Sequence, residues 1–337
     1  MHIGVVNKWL LVGGQDLVLE AADHLLKCSQ KFHIVTARRN LQEVCSNGKT
    51  FVQNLNLKSY EYHISEDINK DKIVKSLIDS ETILLSLSSP WIFRENFINL
   101  FNKNKIINLH EANLPSNRGG ATLSWIIMMS QKDSASVLHL VTKGIDEGDI
   151  VASYKYSFPK ICKIPKDYAD YILDKSVDLI KNFIDRIISN HNFEVITQSN
   201  QESSYWPRLN TEMQGFINWD WDVKFIAKFI DAFDDPYPGS RTFIKGKKVI
   251  IKKAFFSDGK EFHPFQSGLI YKIHDNKIHI SCLGGELIVC EITDENNNLI
   301  FDDIKLGDRL YTPHEYIENS LSIRPVYSSR GIEKKGV

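Results

Sequence analysis

Short β-rich runs alternate with longer amphipathic segments over the first 158 residues, and this alternation limits the possible folds more than any other feature. Strands that alternate with helices form a mostly parallel sheet with helices on both faces. Helices are predicted at residues 17–26 and 68–78. The predicted strands lie at residues 3–6, 32–36, 60–64, 82–87, 106–109, 136–141 and 150–156. The pattern predicts an α/β protein with a Rossmann-like, mostly parallel sheet.

Polar groups follow two of these strands. Asn108 and His110 end the run at 106–109, and the glycine-flanked loop 143–149 supplies carboxylates. Open α/β sheets bind ligands where their strands end. An amide and an imidazole suit acyl transfer to an amine, since preorganised donors to an oxyanion contribute about 3–4 kcal/mol each. A carboxylate beside the imidazole is expected to raise its pKa and help it to relay a proton.

The order of motifs around these residues resembles the folate-dependent formyltransferases. Asn-x-His at 108–110 is followed by Leu-Pro at 114–115, Arg-Gly at 118–119, a Trp-bearing helix, and Ile-Asp-x-Gly-Asp-Ile at 145–150. That family takes the formyl group of N10-formyltetrahydrofolate and includes methionyl-tRNA, glycinamide ribonucleotide and sugar-nucleotide formyltransferases. The resemblance implies that Asn108, His110 and Asp146 are the catalytic residues and that no metal is required.

Further site residues are expected around this trio. The resemblance implies a folate pocket formed by Ser88, Pro90, Trp91, Gly144, Ile145 and Gly148. Arg118 and Gly119 match the Arg-Gly pair of the family, and the arginine either braces the loop or binds an anionic substrate. Arg38 and Arg39, after the second predicted strand, suit the diphosphate of an acceptor. His139 is interpreted as a buried sheet histidine rather than a second base.

The second half of the chain changes character after a long predicted helix at 168–189. A polar stretch at 198–204 is interpreted as a linker. Short strands separated by turns follow at residues 242–244, 248–254, 268–273, 277–282 and 286–292. Such strands suit a small barrel, and the resemblance implies an OB-fold-like one. The predicted domains are 1–200 for catalysis, 201–320 for the β-barrel, and a tail at 321–337.

Composition limits the protein's surroundings and partners. The formal net charge is only −1, so no overall basic field favours a nucleic-acid partner. The five cysteines lack zinc-ligand spacing, a pattern that favours reduced thiols in the cytoplasm and offers no metal cluster. No run approaches the about 20 apolar residues of a membrane span. A cytoplasmic enzyme is expected. If it is oligomeric, a homodimer is expected, because symmetric dimers are the commonest oligomers.

Three functions remain open at this level. The favoured one is formylation of the amine of a dTDP-, UDP- or GDP-linked amino sugar, used to build a surface polysaccharide such as a lipopolysaccharide O-antigen. It is preferred because residues 37–58 carry scattered rather than clustered cations, a weak surface for tracking phosphates along tRNA. The alternatives are a methionyl-tRNA formyltransferase and a non-catalytic folate- or nucleotide-binding module.

Overall fold

The computed structural model describes residues 1–328 and 331–333. Its larger sheet consists of β1 (Lys8–Gly13), β2 (Phe32–Thr36), β3 (Tyr62–Ile64), β4 (Thr82–Leu87), β5 (Ile106–His110), β7 (Asp133–Leu140) and β8 (Ile150–Ser157). The strand order is β3-β2-β1-β4-β5-β7-β8. The first five strands in this order are parallel, whereas β7 is antiparallel to both β5 and β8. The predicted α/β class with a mostly parallel sheet is confirmed.

Both faces of this sheet are covered. Along β1, Trp9 and Leu11 pack into one hydrophobic cluster, while Leu10 and Val12 pack into another. Such alternation is the period of two that a strand imposes on its side chains. The helices of this part are α1 (Gln15–Lys27), α2 (Phe51–Leu57), α3 (Lys72–Ser76), α4 (Glu95–Ile98), α5 (Thr122–Met128) and α6 (Pro165–Ile188). Burial on both faces explains why the central strands are continuous apolar runs.

Some predicted boundaries are wrong. The first strand is β1, not residues 3–6, because the uninterrupted apolar run from Trp9 to Val12 fills the centre of the sheet and pairs with two neighbours. The helix predicted at 68–78 is reduced to α3. Asp71 caps its N-terminus, because the Asp71 side chain accepts hydrogen bonds from the backbone N–H groups of Ile73 and Val74. The long helix predicted at 168–189 corresponds to α6.

A second sheet follows, with six strands in the order β12-β13-β14-β11-β10-β15. Its strands are β10 (Ser240–Ile244), β11 (Lys247–Ser257), β12 (Ile270–His274), β13 (Lys277–Cys282), β14 (Gly285–Thr293) and β15 (Leu310–Tyr311). All of its strand pairs are antiparallel. Helix α8 (Val223–Ala232) lays its apolar face on this sheet. Closure into an OB-fold-like barrel stays a prediction, as does the boundary at residue 200.

The two sheets are joined by more than the covalent chain. The short strand β6 (Arg118–Gly119) pairs in parallel with β9 (Tyr205–Trp206). The interpretation of residues 198–204 as a linker is wrong, because Gln198 is buried and Ser204 is hydrogen-bonded to the backbone beside β6. Polar side chains in this stretch form hydrogen bonds with backbone groups of neighbouring loops. Sequence alone cannot distinguish such buried polar residues from the solvent-exposed ones of a linker.

The remaining elements are α7 (Thr211–Gln214), α9 (His314–Ser322), β16 (Val326–Ser328) and β17 (Gly331–Glu333). Helix α9 runs across the predicted tail boundary at residue 320, and β16 pairs with β17. The tail predicted for 321–337 is therefore partly regular structure, and its residues 329, 330 and 334–337 lie outside the described part of the chain. No helix in the described part is both long and apolar enough to span a bilayer.

Candidate active site

The trio predicted from sequence converges on one cavity. Asn108 and His110 are two residues apart on β5 and therefore point to the same face of the sheet. The antiparallel register of β7 places His139 directly opposite Asn108. Asp146 comes from the loop between β7 and β8, where its backbone has a left-handed φ of 52°. An amide, two imidazoles and a carboxylate thus meet on one side of the sheet.

The Asn108 amide is oriented by two partners. Its Oδ1 accepts a hydrogen bond of 2.7 Å from the Ser86 hydroxyl, which fixes which end of the amide is the donor. Its Nδ2 lies 3.1 Å from His139 Nε2. His139 Nδ1 is 2.9 Å from the Leu140 carbonyl and must donate to it, so Nε2 of the neutral ring is an acceptor for Asn108. One amide hydrogen is left for a ligand in the cavity that Asn108 lines.

His110 is buried between a carbonyl and a carboxylate. Its Nε2 donates to the Asn117 carbonyl at 2.6 Å, and its Nδ1 lies 3.6 Å from Asp146 Oδ2. Burial lowers the pKa of His110 below its ordinary 6.5, with Asp146 and the Asn117 carbonyl opposing the effect and His139 adding to it. The expectation of a raised pKa is wrong, because desolvation of the ring outweighs the nearby carboxylate. At neutral pH, His110 presents an unprotonated Nδ1.

Asp146 stays ionised although it is largely buried. Burial raises the pKa of its carboxyl, but contact with the His139 ring, the electrostatic effect of both histidines and the backbone N–H of Gly119 outweigh burial and hold the pKa at about 2. The Gly119 N–H donates to Oδ2 at 3.0 Å, and His139 Nε2 lies 3.4 Å from Oδ1. The site thus holds a fixed negative charge beside two imidazole rings, and the His110 ring presents an unprotonated Nδ1.

His139 has a larger part in this arrangement than sequence indicated. It is buried, as predicted for a sheet histidine. It also contacts both Asn108 and Asp146, which links two members of the trio. Only the β5–β7 register brings these side chains together, and that register cannot be read from a single apolar run.

The cavity above the trio has a volume of about 570 Å³, within the range of small-molecule sites. Five of the six residues predicted to contact folate line it, namely Ser88, Pro90, Trp91, Gly144 and Ile145. Gly148 does not. A Cβ there would lie 1.9 Å from the Leu140 carbonyl oxygen, so Gly148 is needed where the loop closely approaches β7.

Arg118 braces the loops and is not among the residues that line the cavity. Its guanidinium is buried and donates to Gln198 Oε1 at 3.0 Å and to Asn200 Oδ1 at 3.3 Å. Gln198 in turn donates to the carbonyls of Asp146 and Gly148, at 2.9 and 2.7 Å. Of the two roles expected for Arg118, these contacts support bracing of the loop rather than binding of an anionic substrate. Gln198 was missed because a polar stretch gave no sign of burial.

The arginines that line the cavity are not the predicted pair. Arg38 pairs with Glu66 at 3.6 Å, and neither Arg38 nor Arg39 lines the cavity. They follow β2, which lies three strands from β5, or about 14 Å at about 4.8 Å per strand. Arg208 and Arg324 do line it. Sequence reasoning missed both, because they come from distant segments that the fold brings over the sheet.

One group of described residues has metal-ligand geometry. His24, Cys28 and Asp185, on α1 and α6, each offer a ligand atom within 4.8 Å of the others. None of them lines the cavity above the trio. The prediction that the reaction needs no metal concerns the trio and stays a prediction.

Comparison with known proteins gives the class to which this fold and site correspond. Residues 210–300 match the family described as "Formyl transferase, C-terminal domain". The bifunctional polymyxin resistance protein ArnA of Wigglesworthia glossinidia brevipalpis is 30% identical over 56% of this chain and 29% of its own. The methionyl-tRNA formyltransferase of Syntrophus aciditrophicus is 27% identical over 61% of this chain and 64% of its own. The chain thus spans less than two thirds of these relatives.

A solved structure is similar over more of the chain. The N-formyltransferase from Helicobacter canadensis, in complex with folinic acid and dTDP-3-aminofucose, has a TM-score of 0.64 and 20% identity, covering 86% of this chain and all of that one. At this identity the likeness shows the fold. Together these findings confirm the predicted resemblance to the folate-dependent formyltransferases.

Proposed function

We propose that this protein transfers the formyl group of N10-formyltetrahydrofolate to the amine of a nucleotide-linked amino sugar. The observation that carries the proposal is the convergence of Asn108, His110 and Asp146 on one cavity, with the amide oriented, the imidazole neutral and the carboxylate ionised. These are the groups that acyl transfer to an amine requires.

The geometry supports direct attack. The neutral acceptor amine attacks the formyl carbon, a new C–N bond forms, and the amide hydrogen of Asn108 stabilises the oxyanion. His110 Nδ1 takes the proton that the amine loses, and the imidazolium is stabilised by Asp146 and the Asn117 carbonyl. The C–N10 bond then breaks as this proton passes to N10 of the departing folate. No covalent enzyme intermediate forms.

The cavity suits a folate donor. Trp91, Pro90 and Ile145 supply apolar surface for a flat ring, and the loop backbone at Gly144 approaches it without a side chain. The Helicobacter canadensis neighbour was solved with folinic acid, a folate. The roles of these residues here are part of the proposal.

The charges around the cavity favour an anionic acceptor. Arg208 and Arg324 line the cavity, whereas Asp146 is the one acidic residue among its described lining residues. The cations after β2 are partly occupied, since Arg38 pairs with Glu66 and Lys58 with Asp23 at 2.7 Å. A compact diphosphate at the cavity therefore fits better than a long nucleic-acid backbone. We infer a dTDP-, UDP- or GDP-linked amino sugar, destined for a surface polysaccharide such as an O-antigen.

The test is formyl transfer from N10-formyltetrahydrofolate to a panel of dTDP-, UDP- and GDP-linked amino sugars, with methionyl-tRNA in parallel. Turnover of a sugar nucleotide is expected. His110→Ala should lower kcat by about 10²–10⁴-fold, the usual contribution of a positioned acid–base group. His191→Ala, at an exposed histidine, is the matched control and should keep full activity.

Each outcome decides between functions. Turnover of methionyl-tRNA alone, with steep salt dependence, would establish the second candidate, which the 27% identity to a methionyl-tRNA formyltransferase favours. Folate binding without turnover of any acceptor would favour the non-catalytic module. Full activity of His110→Ala would contradict the mechanism.

A further inference from the structure

A second cavity, of about 730 Å³, lies between α5, α8 and α9. Its wall includes Trp125 and Met128 from α5, Phe225 and Phe229 from α8, and Ile317 and Leu321 from α9. We call it the α5–α9 cavity. It is separate from the trio, but its wall shares Tyr205, Pro207 and Arg324 with the cavity above the trio.

The wall of the α5–α9 cavity leaves large apolar side chains open to solvent. Phe225 is 56% exposed and Leu321 is 79% exposed. The buried face of α8 is already formed by Ile226 and Ile230, so Phe225 is not needed for packing against the sheet. A concave aromatic wall that remains uncovered is typical of a binding site for an apolar group.

The charges in this wall have one sign. Lys228 and Arg324 line the cavity, and none of the described lining residues is an aspartate or a glutamate. The Arg324 guanidinium lies 5.6 Å from the centre of the Tyr205 ring and contacts the Tyr205 hydroxyl at 3.4 Å. Asp231 lies one turn after Lys228 on α8 but does not line the cavity. An apolar body with an anionic end complements this wall.

We propose that the α5–α9 cavity binds a small anionic amphiphile, an alkyl or aryl phosphate or carboxylate, with its apolar body on Trp125 and Phe225 and its anion at Arg324. Arg324 and Tyr205 belong to both cavities, so the anion of the occupant lies at the wall that the two cavities share.

The experiment uses decyl, octyl and hexyl phosphate below their micellar concentrations, titrated into the full chain by calorimetry. Tryptophan fluorescence, to which Trp125 and Trp221 in the wall contribute, is a second signal. Saturable 1:1 binding is expected, with affinity falling about fourfold for each methylene removed. Arg324→Gln should weaken decyl phosphate binding at least tenfold. Decyltrimethylammonium, with the same chain and the opposite charge, should also bind at least tenfold more weakly than decyl phosphate.

Exposed positions provide variants that do not threaten folding. Phe225→Gln and Leu321→Gln should each weaken decyl phosphate binding at least tenfold. Phe265→Gln is the matched control, because Phe265 is 78% exposed and has Arg309 5.1 Å above its ring, just as Lys224 lies 5.1 Å above Phe225. Circular dichroism confirms that each variant is folded.

Four results would overturn the proposal. Affinity that does not depend on chain length would exclude an apolar site, and equal affinity for the cationic amphiphile would exclude an anion site. Equal loss in Phe265→Gln and Phe225→Gln would place binding elsewhere. If sedimentation shows self-association that Phe225→Gln abolishes, a second copy of the chain covers the α5–α9 cavity instead.

Discussion

The neighbours of Asn108 decide which of its amide hydrogens is available to a ligand, which suits the catalytic role proposed for it. Ser86 fixes the amide oxygen and His139 takes one amide hydrogen, so the second hydrogen is directed before any ligand arrives. Preorganised donors of this kind need no reorientation during the reaction. His110 and Asp146 are prepared in the same way, one neutral and the other charged.

The pH dependence follows from the pKa of His110. Because burial lowers this pKa below 6.5 and the neutral ring is the base, kcat should remain high down to pH 6.5 and fall only at lower pH. Asp146 raises the His110 pKa, so Asp146→Asn should move the acidic limb to still lower pH while reducing kcat by at least tenfold. The measurement is kcat against pH for both proteins at saturating acceptor. An acidic limb above pH 6.5, or an upward shift in Asp146→Asn, would contradict it.

At the residue scale, sequence motifs located three residues that meet at one cavity, but they could not give the protonation state or the contacts of these residues. Asn108, His110 and Asp146 stand in recognisable motifs, and five of the six expected folate contacts line the cavity. The lowered pKa of His110 depends on how completely the fold buries it. The contact of His139 with Asn108 depends on the register between β5 and β7. Neither is encoded in local spacing.

Among the elements, the paired strands β6 and β9 position a backbone donor to Asp146, although neither strand carries a residue of the trio. The Arg118 N–H donates to the Ser204 carbonyl and the Gly120 N–H to the Trp206 carbonyl. Between them, the Gly119 N–H points to Asp146. A strand contributed by the second half of the chain therefore fixes the backbone donor that helps to keep Asp146 ionised.

Gly119→Ala tests this arrangement. A Cβ at Gly119 would lie 2.1 Å from the Trp206 carbonyl oxygen, so β6 and β9 must separate and the bond to Asp146 is lost. Hydrogen bonds to charged groups contribute about 1.5–3 kcal/mol, so kcat/KM should fall by at least about tenfold. Gly246→Ala is the control, since Gly246 also has a positive φ but meets nothing within 4 Å. Equal activity of the two variants in the formyl-transfer assay would refute the role of β6.

Prediction of elements succeeded where apolar periodicity was strong and failed where polar residues were structural. Helix α6 and most sheet strands follow directly from their patterns. The stretch 198–204 looked like a linker because its residues are polar, yet Gln198 clamps the loop that carries Asp146. Satisfying buried carbonyls requires polar side chains, and these have the same composition as a solvated loop.

At the scale of the whole molecule, one hydrophobic cluster spans both halves of the chain. Ile126 and Ile127 of α5 pack with Ile226 and Ile230 of α8 and with Ile251 of β11. The buried Ser124 hydroxyl also donates to the Ala232 carbonyl at 2.8 Å. A shared core of this kind makes the stability of each half depend on the other.

We therefore expect a single cooperative unfolding transition. Ile230→Ala should lower the free energy of unfolding by about 2–5 kcal/mol, because it leaves a cavity in the shared core. For each protein, wild type or variant, urea unfolding measured by tryptophan fluorescence should coincide with unfolding measured by circular dichroism. Two separated transitions, with the first alone shifted by Ile230→Ala, would mean that the halves unfold independently.

The pairing of β6 with β9 bears on how such proteins could be recombined. A chimera joined at residues 200–204, where composition suggests a boundary, would take β6 from one parent and β9 from the other. It would also take Gly120 and Arg208 from different parents. These two residues are closely packed, since a Cβ added at Gly120 would lie 2.3 Å from Arg208 Cγ. A crossover placed after Arg208 keeps both matched pairs within one parental sequence, so the second sheet could be exchanged without disrupting the loop that carries Asp146.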